Sequence, residues 1–319
     1  MRLLYYIIFI AVTTILITGT PALEPVAQDG EWLEARWLPD GKTMFTGANY
    51  RGIYIFDGTE LDTVTTFWKA GYRAAISPDG EAIAFSGSEG PDRTNALFVY
   101  SLKSKTVLLL DNGGDYGPPC WVTSEIISVF DGRDICLFDK TGESLDAFDG
   151  GAYVTLVPSL EQGYFWCDRS GNFYRLLPDK KLEKLEYKAS VSGFLFNPIT
   201  NKSGEYILLE ELGGPMVLIS LPEFTGLKLP TGDYPSFVEE PFGILYLDMV
   251  DDGERITDSR VMFISIDNGE PQNPVELVES SPPERIFTRV DYSVKYGLLL
   301  TTQNGFIFRE NFDLREALK

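Results

Sequence analysis

The chain has 319 residues and a formal net charge of −20 at pH 7, from 47 acidic and 27 basic side chains. A surface of this sign repels a phosphate backbone, so the composition argues against nucleic-acid binding. The chain contains no histidine. This absence excludes Ser-His-Asp and Cys-His catalysis as well as imidazole metal sites. The sequence also lacks the Gly-x-Ser-x-Gly elbow of hydrolases and the phosphate-binding loop of nucleotide-binding proteins.

The first twenty-two residues differ from the rest. A short basic start at Met1 and Arg2 precedes an apolar run over residues 3–17, and small residues lead up to Ala22. This order is typical of a secretory signal peptide that is cleaved near Ala22. We therefore assign residues 1–22 to a signal peptide and residues 23–319 to a single domain, and we expect a periplasmic or secreted protein. The alternative is an uncleaved N-terminal membrane anchor, which would be the only contact of the chain with a membrane.

One short phrase recurs along the chain. It reads WLPDGKTMF and then IYIFDG, and about forty residues later it returns as ISPDGEAIAF and then LFVYSL. In the Pro-Asp-Gly turn, proline presets φ, aspartate bonds its own backbone and glycine accepts a positive φ. The β-branched and aromatic runs around the turn, with apolar residues at alternate positions, predict half-buried strands. A repeat of about forty residues built from such strands is typical of a β-propeller blade.

The spacing of the recurring phrase allows the rest of the chain to be divided into blades. It predicts an all-β fold, a β-propeller of seven blades with four antiparallel strands each. The predicted blades span residues 31–66, 67–110, 111–148, 149–186, 187–230, 231–279 and 280–319. Six blades is the alternative if the first or last unit is incomplete. Either residues 23–31 or residues 312–318 supply the strand that closes the ring.

The two best copies of this phrase, WLPDGKTMF…IYIFDG and ISPDGEAIAF…LFVYSL, resemble the TolB-type propeller repeat, which is related to the WD-repeat propellers. Two blades match in sequence and the other five match by pattern. The resemblance implies the propeller fold and says little about activity. The repeat occurs in periplasmic Tol-system proteins, in the propeller domains of prolyl-oligopeptidase-like peptidases and in other exported proteins. No segment resembles the N-terminal α/β domain of TolB.

Tyrosines recur where blades begin. Tyr72, Tyr116, Tyr153 and Tyr234 each precede the first strand of a predicted blade. In a propeller, the loops leading into first strands share a face with the loops that join second and third strands. Tyrosine combines a large apolar body with a polar tip and suits recognition. We therefore predict that these four residues bind a protein or peptide partner, with packing between blades as their alternative role.

Acidic residues concentrate in the stretch DMVDDGERITDSR, which we predict to be one long loop. It contains Asp248, Asp251, Asp252 and Asp258. Calcium takes oxygen ligands from such loops. The spacing does not match an EF-hand loop. These four residues are therefore candidate metal ligands, with a solvated acidic loop as the alternative, and no cofactor is predicted.

The three cysteines are predicted to be buried thiols. The repeat places Cys120 on the first strand of the third blade and Cys136 on its third strand. One intervening strand would keep them roughly 9–10 Å apart, which exceeds the Cα separation of about 7 Å that a disulfide tolerates. Cys167 is predicted to end the second strand of the next blade.

Together these features predict a non-catalytic scaffold that works outside the cytoplasm as a monomer. It would bind its partner on one loop face, because a rigid closed ring displays variable loops. The alternative is a carboxylate-dependent glycosidase or lyase acting in the propeller channel. Such chemistry needs two facing carboxylates and no histidine.

Overall fold

The computed structural model describes residues 23–27, 31–148, 157–159, 163–167, 172–177, 182–185, 194–221 and 224–318. The predicted leader, residues 1–22, lies outside the described residues, and so does Tyr153. Within the described part of the chain, no helix has both the length and the apolar character that crossing a bilayer requires.

Seven antiparallel sheets follow one another along the chain, and each is one propeller blade. The strand β1 (Glu24–Ala27) comes first in sequence but belongs to the last blade. The first three blades contain β2 (Trp32–Trp37), β3 (Thr43–Gly47), β4 (Ile53–Phe56) and β5 (Leu61–Thr65); β6 (Ala75–Ile76), β7 (Ala82–Gly87), β8 (Ala96–Ser101) and β9 (Thr106–Asp111); and β10 (Cys120–Trp121), β11 (Ile126–Phe130), β12 (Ile135–Asp139) and β13 (Ser144–Phe148).

The remaining blades follow the same order from the channel to the rim. Blades 4 and 5 contain β14 (Val157–Ser159), β15 (Gly163–Cys167), β16 (Phe173–Leu176) and β17 (Leu182–Lys184), and then β18 (Leu195–Thr200), β19 (Tyr206–Glu211), β20 (Met216–Ser220) and β21 (Thr225–Lys228). Blade 6 contains β22 (Asp233–Glu239), β23 (Phe242–Asp251), β24 (Ile256–Asp267), the short β25 (Glu270–Pro271) and β26 (Val275–Glu279). Blade 7 contains β27 (Phe287–Ser293), β28 (Gly297–Thr302) and β29 (Ile307–Glu310), completed by β1. The seven blades predicted from the sequence are confirmed, and the six-blade alternative is excluded.

The N-terminal strand closes the ring by completing the last blade. Strand β1 pairs antiparallel with β29, with Glu24 opposite Arg309, and an ion pair of 2.5 Å joins these two side chains. The C-terminal residues form a short helix instead, α1 (Leu314–Ala317), whose Leu314 is buried against blades 6 and 7. Of the two closures that the sequence left open, the structure therefore has the one supplied by residues 23–31.

The Pro-Asp-Gly turns have the conformation that their chemistry predicts. Between β6 and β7, Gly80 has a φ of 71°, and the Ser77 hydroxyl donates to the Asp79 carboxylate at 2.6 Å while accepting from the Ala82 amide at 2.9 Å. A Cβ at Gly80 would lie 2.2 Å from Cγ of Pro39, in the corresponding turn of the first blade. The turns of these two neighbouring blades therefore pack closely together, on the face of the ring opposite the loop that contains Tyr72.

The hydrophobic core consists of clusters between adjacent blades. Between blades 2 and 3, for example, Leu97 and Val99 pack with Ile127 and Val129, and all four are buried. Each sheet is covered on both faces by its neighbours, so its middle strands are almost continuously apolar. Burial of apolar surface between blades is the main force that holds such a ring together.

Within the described residues, the predicted local structure of the acidic segment was wrong. Strands β23 and β24 extend far beyond the other hairpins and pair as far as Asp251 opposite Ile256, leaving only a tight turn. The long loop expected from the charge content is therefore a β-hairpin. Asp248 pairs with Arg260 across the two strands, and their side chains are 3.3 Å apart. This ion pair compensates one negative charge of the hairpin.

The cysteines occupy the predicted strands. Cys120 lies on β10 and Cys136 on β12, with β11 between them, and Cys167 ends β15. None of the three forms a disulfide bond; Cys136 and Cys167 are buried as predicted, whereas Cys120 is half-buried. Burial raises the pKa of Cys120 and of Cys136 to about 12. Both thiols therefore stay protonated and unreactive at neutral pH.

Candidate functional site

The loops that lead into first strands and the loops that join second and third strands lie on one face of the ring. Backbone bonds tie the two sets together. The amide of Trp68 donates to the carbonyl of Ser88 at 2.8 Å, and the amide of Asp115 donates to the carbonyl of Asp131 at 3.2 Å. We call this surface the channel-mouth face, and it contains the exposed tyrosines described below.

Two loops of blades 1 and 2 are joined on this face. The amide of Gly71 donates to the carbonyl of Tyr50 at 3.1 Å, and the amide of Gly52 donates to the carbonyl of Phe67 at 2.9 Å. The loops contain a cluster of non-glycine residues whose φ is positive, between 52° and 62°: Asn49, Tyr50, Lys69 and Arg73. Such conformations cost about 1–3 kcal/mol each and tend to cluster at functional sites.

The side chains of these loops form an aromatic and basic surface. The Tyr50 and Tyr72 rings meet edge to face at 4.9 Å, and the Arg51 guanidinium lies 5.2 Å from the centroid of the Trp68 ring. Tyr72 is 37% exposed. We call this surface the aromatic–basic patch, and it consists of Tyr50, Arg51, Trp68, Lys69, Tyr72 and Arg73. Its two loops, residues 48–52 and 66–73, contain three basic residues and no acidic residue, in a chain whose net charge is −20.

An open pocket of about 410 Å³ adjoins the patch at the end of blade 1 that lies on the channel-mouth face. Its lining includes Trp32, Tyr54 and the Arg51 side chain, whose Nε donates to the carbonyl of Thr66 at 3.3 Å. The pocket therefore presents aromatic walls and a guanidinium that a backbone bond holds in place. Because Glu31 also lines the pocket, such a site suits a side chain with an apolar body and a polar end.

Arg73 connects this side of the channel with the opposite side. Its guanidinium donates to Oδ1 of Asn197 in β18, and the Asn197 amide donates to the Glu210 carboxylate at 2.9 Å. Blades 2 and 5 are three positions apart in a ring of seven, so this chain of bonds crosses the channel. Burial raises the pKa of Glu210, and the Asn197 bond and the nearby Arg73 charge oppose that rise.

The first strands of blades 5 and 6 are both interrupted by a bulge. Asn197 has a φ of 49° and Tyr234 a φ of 52°, and each precedes a proline at a register shift. The residue before a proline normally adopts an extended conformation with negative φ. Bulges of this kind re-aim side chains beside binding sites. Here they accompany the contact of Asn197 with Arg73 and the contact of Tyr234 with Arg289.

Tyr234 lies on the acidic side of the channel mouth. It is 44% exposed, and the Arg289 guanidinium lies 3.4 Å from its ring centroid. Burial raises the pKa of the adjacent Asp233, and the charges of Asp248 and Asp251 raise it further, while Arg289 opposes the shift. The neighbouring acidic hairpin, residues 248–258, is therefore electrostatically coupled to this part of the face.

The acidic hairpin uses its carboxylates in local bonds. Asp252 accepts the amides of Glu254 and Arg255 at 3.0 Å each, and Asp258 accepts the Ser280 hydroxyl. Over the residues that the structure describes, no three Asp, Glu or Cys side chains come together in a group that could hold a metal ion. The candidate ligands Asp248, Asp251, Asp252 and Asp258 are thus spread along two strands and a turn.

Of the four predicted tyrosines, Tyr72 and Tyr234 are exposed on the channel-mouth face. Tyr116 is only 4% exposed and packs 6.0 Å from the Phe138 ring, and its hydroxyl donates to the Asp111 carboxylate. Burial is the first cause of its raised pKa. Tyr116 therefore packs between blades, and its role in partner binding stays a prediction. The partners of Tyr72 in the patch were not predicted from the sequence, although in both loops each basic residue directly follows an aromatic one.

Carboxylates also occur deeper in the channel, where the enzymatic alternative would need them. Glu34 forms an ion pair of 2.5 Å with Arg36, and Asp291 accepts the Trp37 amide at 2.7 Å. Burial raises the pKa of Asp291, and that amide together with Arg36 opposes the rise. Each of these carboxylates thus has a basic or amide partner, and the enzymatic alternative stays a prediction.

No family model and no curated protein matches this chain. Among solved structures, the chain is similar to the crystal structure of the WD40 repeats of RRP9, with a TM-score of 0.62 and 10% identity, over 91% of this chain and 99% of that chain. It is also similar to the extracellular domain of a hybrid two-component system from B. thetaiotaomicron, with a TM-score of 0.61 and 8% identity, over 91% of this chain and 40% of that chain. At these identities the likeness shows the fold alone. The protein is a seven-bladed β-propeller like the WD40 repeats, and the TolB-type relationship stays a prediction.

Proposed function

We propose that this protein is a non-catalytic scaffold that captures a protein or peptide partner on its channel-mouth face. The fold supports the proposal, because β-propellers often serve as protein-interaction scaffolds. We place this activity outside the cytoplasm on the strength of residues 1–22, whose basic start, apolar run and small residues follow the order of an export signal.

The aromatic–basic patch is the observation on which the proposal rests. Binding energy in protein interfaces is concentrated in a few Trp, Tyr and Arg residues that become desolvated on contact. The patch brings Arg51, Trp68 and Tyr72 together with Tyr50 on two neighbouring loops. Its positive charge within an acidic chain favours a partner segment that carries acidic residues.

The patch is also held in position before any partner arrives. Its two loops are linked by the bonds from Gly71 to Tyr50 and from Gly52 to Phe67, and the interblade core of Phe85 and Ile83 lies beneath them. A surface ordered in advance loses less conformational entropy on binding. This order fits recognition by a rigid face better than recognition by a flexible arm.

The test is capture of partners from the exported fraction by the purified protein. A variant that combines Tyr72→Ala with Tyr234→Ala should lose the captured partner. The matched control is Leu61→Ala, which removes a side chain of comparable exposure from the rim strand β5 and should capture normally. Undiminished capture by the tyrosine variant would remove this face from consideration.

A further inference from the structure

The pocket beside the aromatic–basic patch is formed within blade 1. Its lining comes from the entry to β2, the loop between β3 and β4, the strand β4 and the residue that follows β5. Its volume of about 410 Å³ lies within the range of small-molecule sites, about 300–1,000 Å³. A pocket of this size can hold a small molecule as well as a side chain of a larger partner.

The pocket is lined by one acidic and one basic side chain that do not neutralise each other. Glu31 and Arg51 both belong to the described part of the chain, both are exposed, and they form no ion pair with one another. Across the residues that the structure describes, the Glu31 carboxylate and the Tyr54 hydroxyl have no hydrogen-bond partner. Arg51 bonds the Thr66 carbonyl through Nε, so its two terminal nitrogens stay available to a ligand.

The backbone holds both charged residues in position. The amide of Trp32 donates to the carbonyl of Gly305 at 3.4 Å, and a Cβ at Gly305 would lie only 3.0 Å from Cα of Glu31. The entry to β2 is thus packed against the turn between β28 and β29. On the other side, the amide of Arg51 donates to the carbonyl of Ala48 at 3.1 Å. A site whose backbone is ordered in advance loses less entropy when a ligand binds.

The apolar part of the lining is aromatic. The rings of Trp32 and Tyr54 meet edge to face, with centroids 5.2 Å apart and an angle of 70° between their planes. The Trp32 ring also packs 5.1 Å from the Phe45 ring, in the core between blades 1 and 7. Aromatic rings favour another ring that packs against them edge to face or offset. The walls therefore favour a ligand that contains an aromatic group.

Two opposite charges in one pocket restrict the ligand further. A simple anion would be attracted by Arg51 and repelled by Glu31, and a simple cation would meet the reverse. A neutral apolar ligand would take both charges out of water and offer them no partner. A molecule that carries an ammonium group and a carboxylate on one carbon atom compensates both charges at once.

We propose that this pocket binds a free α-amino acid with an aromatic side chain. The α-ammonium group donates to the Glu31 carboxylate, and the Arg51 guanidinium donates to the α-carboxylate. The aromatic ring packs against Trp32 and Tyr54. An internal segment of a polypeptide carries neither of these backbone charges, and a chain end carries one. The ligand of this pocket therefore differs from the protein partner proposed above, although Arg51 contributes to both surfaces.

The test is calorimetric titration of the purified protein with three probes. L-phenylalanine carries both charges, 3-phenylpropionate lacks the ammonium group, and phenethylamine lacks the carboxylate. The parent protein should bind L-phenylalanine about tenfold or more tightly than either analogue, because each analogue loses one charge-assisted contact. A parent protein that binds none of the probes at millimolar concentration would overturn the proposal, as would an analogue that binds as tightly as L-phenylalanine.

Two variants assign the two contacts separately. Glu31→Gln should abolish the preference for L-phenylalanine over 3-phenylpropionate, and Arg51→Gln should abolish the preference over phenethylamine. Glu60→Gln, which makes the same change at an exposed carboxylate in the turn between β4 and β5, is the matched control and should bind like the parent. Circular dichroism and thermal unfolding establish that each variant is folded. A Glu31→Gln variant that keeps the full preference would contradict the assignment of the ammonium group to Glu31 and overturn the proposal.

Discussion

The two sides of the channel mouth are built on the same strand plan and carry opposite chemistry. On blades 1 and 2, two short loops are joined by backbone bonds and present aromatic rings with Arg51 and Lys69. On blades 5 and 6, the first strands are bulged, and Asp233 lies beside a long acidic hairpin. The repeat therefore determines the scaffold, while the loops and bulges of a few blades determine what each side of the channel mouth can bind.

If the two sides differ only at their loops, the cores beneath them should be equally important. Phe85 lies beneath the patch and Phe263 beneath the acidic side, and both are fully buried. Phe85→Ala and Phe263→Ala should each lower the free energy of unfolding by about 3–5 kcal/mol. Chemical denaturation measures this directly. A much smaller loss on one side would mean that the two sectors differ in their cores as well.

Glu310, a buried carboxyl of blade 7, gives the stability of the fold a pH dependence of its own, apart from that of the channel mouth. Burial raises the pKa of Glu310 to about 7, from an ordinary value of 4.5. The folded state therefore holds this proton more tightly, so its stability falls as the pH rises from about 4.5 to 7. Glu310→Gln should make the protein more stable at pH 8 by roughly 3 kcal/mol and should have little effect at pH 4. Equal stabilisation at both pH values would contradict the burial of this charge.

The two sides are predicted to be coupled through the bonds that cross the channel. Arg73→Ala and Asn197→Ala each remove one end of that link, so their combined effect should be less than the sum of the two. A double-mutant cycle on unfolding free energies should give a coupling of about 1 kcal/mol. Strict additivity would mean that the two sectors are independent.

The smallest effect concerns Asp233 on the acidic side. Its pKa is raised, mainly by burial and then by the neighbouring aspartates, so its charged form destabilises the fold. Asp233→Asn, made in the Glu310→Gln background, should raise the unfolding midpoint at neutral pH. The gain should disappear as the pH falls below the ordinary pKa of an aspartate, where both states are protonated. A lower midpoint at neutral pH would show that the charge of Asp233 is used in a favourable contact.

The sequence predicted the blades because the Pro-Asp-Gly turn is set by local chemistry. The turn at Ser77 to Gly80 has the hydrogen bonds and the positive φ that its residues require. Ring closure was undetermined, since either chain end could supply the missing strand of blade 7 and only the long-range pairing of β1 with β29 selects between them. In the acidic hairpin, the charge content was given more weight than the apolar pair Met249 and Val250, and the cross-strand pairing decided the outcome.

The candidate site was predicted only in part for a related reason. A tyrosine before a first strand has the same local sequence context whether it becomes exposed, like Tyr72, or buried, like Tyr116. What separates them is the contact with the next blade, which the sequence does not display. The patch likewise forms only because the bond from Gly71 to Tyr50 brings two loops together that lie about twenty residues apart.

The most direct test of the central claim is the affinity of a captured partner for patch variants. With the partner in hand, titration by calorimetry compares the parent protein with Arg51→Ala combined with Tyr72→Ala, and with the rim control Leu61→Ala. If the aromatic–basic patch is the binding site, the double variant should raise Kd by about a hundredfold, which corresponds to loss of one or two central contacts. The control should leave Kd unchanged. An unchanged Kd for the double variant would contradict the assignment of binding to this side of the channel mouth.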